Sequence, residues 1–165
     1  MSRQSDNPKK DKNESDVQEK VLHINRCSKV VKGGRKFSFS ALILVGNGKG
    51  QVGYGFAKAN ELTDAIRKGG QAARKNMREV PMEGTSIPHE ITVSQDGAVI
   101  LLKPAKEGSG VIAGSVQRAV LELAGYKDVV AKSLGASNPI NLVKAIFEAF
   151  DKMKTRAEIK SMRGV

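Results

Sequence analysis

The chain has no tryptophan, two tyrosines, five phenylalanines and one cysteine. A single cysteine, Cys27, excludes an internal disulfide and fits a reducing compartment. Cys27 has no CxxC partner, and His23 and His89 lack a second ligand at metal spacing. Two histidines so far apart support no Ser/His/Asp or Cys/His arrangement, so the residues offer no catalytic constellation, no metal site and no cofactor. No clean apolar run exceeds the five residues of 41–45, far too short to cross a bilayer, so no membrane partner is expected. The first residues are polar and carry no apolar stretch of the secretory kind. Acidic residues are scarce as well, 17 against 28 basic ones, for a net charge of +11.

That excess is localised. Residues 21–80 hold twelve basic and three acidic side chains, net +9, while residues 81–150 hold six and seven, net −1. Charge concentrated in this way costs self-repulsion unless a polyanion balances it, which points to nucleic acid.

Residues 1–18 are polar and mixed in charge, and read as a disordered arm. From Val21 the pattern becomes two strands joined at Lys32-Gly33-Gly34-Arg35, with Phe37, Phe39, Ala41, Ile43 and Val45 alternating onto one face. Glycine-rich turn chemistry at residues 46–50 precedes a third strand carrying Val52, Tyr54 and Phe56. A helix begins between Asn60 and Thr63. Its apolar stripe is Ala65, Ile66, Gly69, Ala73 and Met77, and its cationic face holds Arg67, Gln71, Arg74, Lys75 and Arg78. Pro81, Gly84 and Pro88 mark a linker.

The second half opens with a hairpin about Gln95-Asp96-Gly97. A helix carrying Val116, Ala119, Val120, Leu123 and Ala124 comes next and ends at Gly125. Residues 129–134 read as a strand, and Asn138-Pro139 as the start of a last helix with Ile140, Val143, Ile146, Phe147 and Phe150 inward. The order βββα then ββαβα predicts an α+β fold of two small two-layer α/β domains. Their expected limits are 19–82 and 87–153, with a basic tail at 154–165.

Four stretches compete as sites. Gly48, Gly50 and Gly53 spell GxGxxG, but the residues after Gly50 alternate as a strand, so a bending turn is preferred over a nucleotide-binding loop. Gly53-Tyr54-Gly55-Phe56 resembles the aromatic strand of an RNA-recognition motif. Val52 and Ala59 break that pattern, and the favoured reading buries both rings under the helix. Gly108-Ser109-Gly110 precedes a helix and could hold an anion, though a tight helix entrance is the simpler reading. The basic stretch at residues 29–36 is the most informative. Its cations flank a Gly-Gly tip that lets the backbone approach phosphate. Candidate RNA-binding residues are therefore Arg26, Lys29, Lys32, Gly33, Gly34, Arg35, Lys36, Lys49, Arg67, Arg74, Lys75 and Arg78. Few aromatics and many cations suit structured RNA.

Three colinear blocks, NRCSKVVKGGRKFSFSALILVGNGKGQVGYGFAKA, EGSGVIAGSVQRAVLELAG and KSLGASNPINLVKAIFEA, resemble the bacterial small-subunit ribosomal protein S five family over roughly residues 21–150. Cys27 stands where that family more often has valine, and residues 60–63 lack its usual helix-opening proline. The resemblance implies a double-stranded-RNA-binding-like first domain and a second domain with a left-handed crossover. It also implies a non-enzymatic, cytoplasmic ribosomal role: binding small-subunit ribosomal RNA, contact with ribosomal proteins S four and S eight, and a place between head and body near where messenger RNA enters. Family members contribute to translational accuracy. By the same resemblance residues 29–36 reach toward head RNA, with spectinomycin binding nearby. Glu107, Gly108, Ser109 and Gly110 form the junction with S four.

Overall fold

Strand alternation in the first half produces a sheet whose middle strand is buried on both sides. The computed structural model of the protein describes residues 17–164. The arm expected at residues 1–18 lies outside the described residues except for Val17 and Gln18. Strands β1 (Gln18–Val31) and β2 (Gly34–Gly46) form a long antiparallel hairpin, and β3 (Gln51–Ala59) pairs antiparallel with β2. Helix α1 (Leu62–Lys75) starts within the expected window, after Glu61. Strand β4 (Arg78–Glu79) then pairs with the start of β3, giving the order β1-β2-β3-β4.

The second sheet is built from β5 (Ile91–Gln95), β6 (Ala98–Pro104), β7 (Val111–Ile112) and β8 (Val129–Ser133), in the order β5-β6-β8-β7. Strand β7 runs parallel to β8, and helix α2 (Ser115–Ala124) connects them. Helix α3 (Pro139–Lys152) opens as expected, with the Asn138 side chain accepting the Ile140 N–H and Pro139 in the first turn. The turn of the second hairpin falls on Asp96-Gly97.

Ala41, Ile43 and Val45 pack against Ala65 and Ala73 of α1, as their alternation predicts. The intervening Leu42 and Leu44 are also buried. They join Val52 and Tyr54 in one cluster with α2, α3 and the second sheet. The two α/β units therefore share a core through β2.

Two expectations need correction. Arg78 and Met77 do not lie on the helix, because α1 ends at Lys75 and Asn76 caps it. Arg78 belongs to β4 instead. Tyr54 and Phe56 do not lie under the helix. Gly53 and Gly55 occupy that face, because α1 passes so close that a Cβ at Gly55 would run into the Gly69 carbonyl. Tyr54 turns the other way, edge-on to Phe147 of α3 at 4.7 Å between ring centres. Within the basic tail, on whose structure the sequence carried no expectation, α4 (Arg156–Arg163) opens on a capping box of Thr155 and Glu158. That Thr-x-x-Glu spacing was a usable signal, although the helix has no buried side chain to mark it.

Candidate nucleic-acid interface

Strand β3 covers β2 only from Phe39 onward. Residues 34–38 and their β1 partners therefore form a two-stranded ribbon extending about 17 Å beyond the sheet. Its two-residue turn is Lys32-Gly33, with Gly33 at φ +94°, a conformation that glycine adopts without steric cost. Nothing lies within 4 Å of where a Cβ would stand at Gly33 or Gly34, so the tip is open.

Register sorts the ribbon's side chains. Lys29 faces Lys36 across the strands, on the same face as Cys27 and Ser38. The opposite face carries Val30, Arg35, Phe37 and Arg26, with the Arg26 guanidinium 3.8 Å above the Phe37 ring. Two lysines directly across an antiparallel pair repel one another. Among the described residues, Lys29, Lys32, Arg35 and Lys36 have no carboxylate partner. The ribbon is thus a prong of unbalanced positive charge, with Val30 76% exposed beside it.

The remaining candidates lie elsewhere. Arg67 and Arg74 are on α1 with Lys75, but Arg67 pairs with Asp64 at 2.9 Å and Arg74 with Glu19 at 3.0 Å. Arg78 on β4 bonds Asp151 of α3 at 2.6 Å. These pairs are exposed and individually weak, so phosphate can compete for them. Lys49 sits at the far end of the sheet, about 40 Å along β2 from the ribbon tip. The structure therefore gathers Arg26, Lys29, Lys32, Gly33, Gly34, Arg35 and Lys36 into one element and leaves the others apart.

The glycine turn between β2 and β3 is already occupied. Gly48 donates its N–H to the Leu123 carbonyl at 3.0 Å, and Gly50 to the Ala124 carbonyl at 2.8 Å. Both acceptors belong to the last turn of α2, the negative end of its dipole, where an anion is disfavoured. The Asn47 side chain takes the N–H groups of Lys49 and Gln51. A phosphate would find the backbone N–H groups of Gly48, Lys49, Gly50 and Gln51 already bonded and the end of α2 unfavourable, so the GxGxxG stretch docks one domain on the other rather than wrapping a nucleotide.

Loop residues 107–110 aim backbone N–H groups at Asp128, while Glu107, Gly108 and Ser109 stay exposed. Gly108 and Gly110 have φ of +84° and +74°, and this curls the backbone around Asp128. The buried Asp128 carboxylate accepts the Thr85 hydroxyl at 2.7 Å and the Gly110 N–H at 3.0 Å. The Thr85 bond, then Gly110, hold this carboxyl below the usual carboxylate range. The Ser86 hydroxyl donates to the Asp128 carbonyl at 2.5 Å, which ties the segment between the domains to the same point. Because the folded pKa lies below the unfolded value of about 3.9, this stabilisation is complete above that pH. It is lost as pH falls through the folded pKa. Asp128→Asn is expected to lower the thermal midpoint at neutral pH and to narrow its gap to the wild type in acid. Midpoints measured across an acid titration test this, and a constant gap would contradict it.

Sequence reasoning missed Asp128, whose partners are distant in the chain. It also missed Lys58, which the alternation of β3 places on the same face as Phe56.

A charged, glycine-tipped ribbon on a two-domain α/β scaffold gives the protein a surface of unbalanced positive charge, of the class that suits a polyanion. The family model described as ribosomal protein S5, N-terminal domain, matches residues 17–81, and that for the C-terminal domain of ribosomal protein S5 matches residues 94–163. The chain belongs to the ribosomal protein S5 family. It is 72% identical to small ribosomal subunit protein uS5 of Protochlamydia amoebophila over the whole of both chains. It is 65% identical to the uS5 protein of Chlamydia abortus, over 92% of this chain and 93% of that one. For the uS5 protein of Chlamydia trachomatis serovar D the identity is 63% over the same shares. Family membership makes it a non-enzymatic constituent of the small ribosomal subunit that binds ribosomal RNA in translation.

Proposed function

We propose that the chain pins ribosomal RNA from two sides, with the ribbon as the principal contact and α1 as the second. In this reading Lys29, Lys32, Arg35 and Lys36 neutralise phosphates, and the open tip at Gly33 and Gly34 admits the RNA backbone. Arg67, Arg74 and Arg78 add contacts once their carboxylate partners are exchanged for phosphate, and Arg26, Lys49 and Lys75 contribute further cations. The observation carrying this reading is Lys29 facing Lys36 with no carboxylate to balance them among the described residues. A phosphate between the two turns a repulsion into an attraction.

The second domain has almost no net charge and serves protein contacts. Glu107, Gly108, Ser109 and Gly110 meet ribosomal protein S four, with S eight as a further neighbour. Asp128 supports this assignment, since it presents the loop in one fixed shape. The protein then braces head against body near where messenger RNA enters, and contributes to translational accuracy.

The experiment is binding of the full chain to small-subunit ribosomal RNA across salt concentrations. A steep fall of log K with log salt is expected, and Lys32→Ala with Arg35→Ala should reduce the magnitude of that slope by up to about two. A salt-independent affinity would sink the reading. Photo-crosslinking from position 109 in assembled subunits tests the protein contact. S four should be captured, and RNA alone would contradict it.

A further inference from the structure

Six of the seven aromatic rings have partners. Tyr54, Phe147, Phe150 and Tyr126 pack edge-on or tilted against one another. Phe39 packs under α1, and Phe37 carries the Arg26 guanidinium. Among the described residues Phe56 has neither ring nor cation against it, and it is 48% exposed.

Its surroundings are set by register. His23, Leu42 and Phe56 form one row across the three strands, and Asn25, Ser40 and Lys58 form the next. Cys27 lies within 4.0 Å of Ser40, which confirms the shared face, and Lys29 and Lys36 continue it outward along the ribbon. Leu42 and Ser40 are buried, so the exposed surface there is His23, Asn25, Phe56 and Lys58. Lys58, like Lys29 and Lys36, has no carboxylate partner among the described residues. Strand β4 covers β3 only at Gln51 and Val52, so the sheet edge beside Phe56 is open.

We infer that Phe56 is a stacking platform for one unpaired base of the ribosomal RNA, with Lys58 on its phosphate and His23 and Asn25 at its edge. A flat ring beside uncompensated cations fits a nucleotide better than an apolar protein surface, which would leave the lysines unbalanced. The base must be unpaired, because a base inside a duplex is already stacked on both faces. The inference rests on the proposed RNA contact of the ribbon and adds a site on the adjoining sheet face.

The test compares wild type, Phe56→Ala, Phe56→Leu and Phe56→Tyr as full chains binding transcribed small-subunit ribosomal RNA. Phe56→Ala should weaken binding about five- to 150-fold at an unchanged salt slope, because stacking releases no counterions. Phe56→Tyr should stay within about twofold. Phe56→Leu should lose affinity as alanine does, since it keeps apolar bulk without a π-face. Short-wave ultraviolet crosslinking of purified small subunits should leave a nucleotide on Phe56. Unchanged affinity in Phe56→Ala, retention in Phe56→Leu, or an adduct confined to other residues overturns the inference while leaving the ribbon's role intact. Failure of the wild-type chain to bind the RNA would instead overturn the proposed function beneath it.

Discussion

Replacing Gly55 by alanine is expected to lower stability by about 3 kcal/mol or more, read as a fall in the denaturant midpoint. The added Cβ would run into the Gly69 carbonyl of α1, and would stand 2.6 Å from the Ala73 nitrogen and 3.1 Å from the Ala72 Cβ. Two of these three atoms are backbone, so no rotamer change relieves the clash. The helix would have to lift off the sheet, and it is held close at Gly69 too, where a Cβ would stand 2.8 Å from Ile43 Cδ1. Overpacking of a closed interface costs about 1–3 kcal/mol when side chains can yield, and more when the backbone must. Lys58→Ala, three residues along the same strand and exposed, should change stability by less than about 0.5 kcal/mol. A Gly55→Ala protein as stable as that control would mean that α1 does not sit on the sheet as described.

The same glycines explain which parts of the fold were legible. Alternation shows that Val52, Tyr54 and Phe56 share a face, but not which partner that face meets. The helix's own stripe of Gly69 and Ala73 held the answer: a small-residue stripe seats against the small-residue face of the strand, Gly53 and Gly55. Residues 41–45 carried a second unread signal. An unbroken apolar run is how a strand buried on both faces reads, and β2 has α1 on one side and the second domain on the other. Strands β4 and β7 are two residues each, too short for any period to register. The ribbon was legible because its turn glycines and cations are local in sequence. The pairing of Arg74 with Glu19 and of Arg78 with Asp151 was not, since each joins residues more than fifty positions apart.

Leu44→Ala should cost about 2–5 kcal/mol, as truncation of a fully buried leucine does, and the loss should appear in both domains at once. Leu44 belongs to the first sheet by its backbone and to the larger cluster by its side chain, in the company of Leu42 and Val52. The turn after β2 adds two backbone hydrogen bonds to the end of α2, and Tyr126 donates its hydroxyl to the Pro81 carbonyl at 2.8 Å. With β2 serving two cores, neither domain can open without exposing apolar surface of the other. Native-state hydrogen exchange reads this directly: amides of β2 and of β6 should report the same opening free energy, and Leu44→Ala should lower both by the same amount. If β6 kept its protection while β2 lost it, the domains would be separate folding units. The shared core would then be a contact surface, and the ribbon's orientation relative to the second domain would rest on the glycine turn alone. A single transition is the outcome that suits a brace, because force applied at the ribbon is then resisted by the whole protein rather than by one hinge.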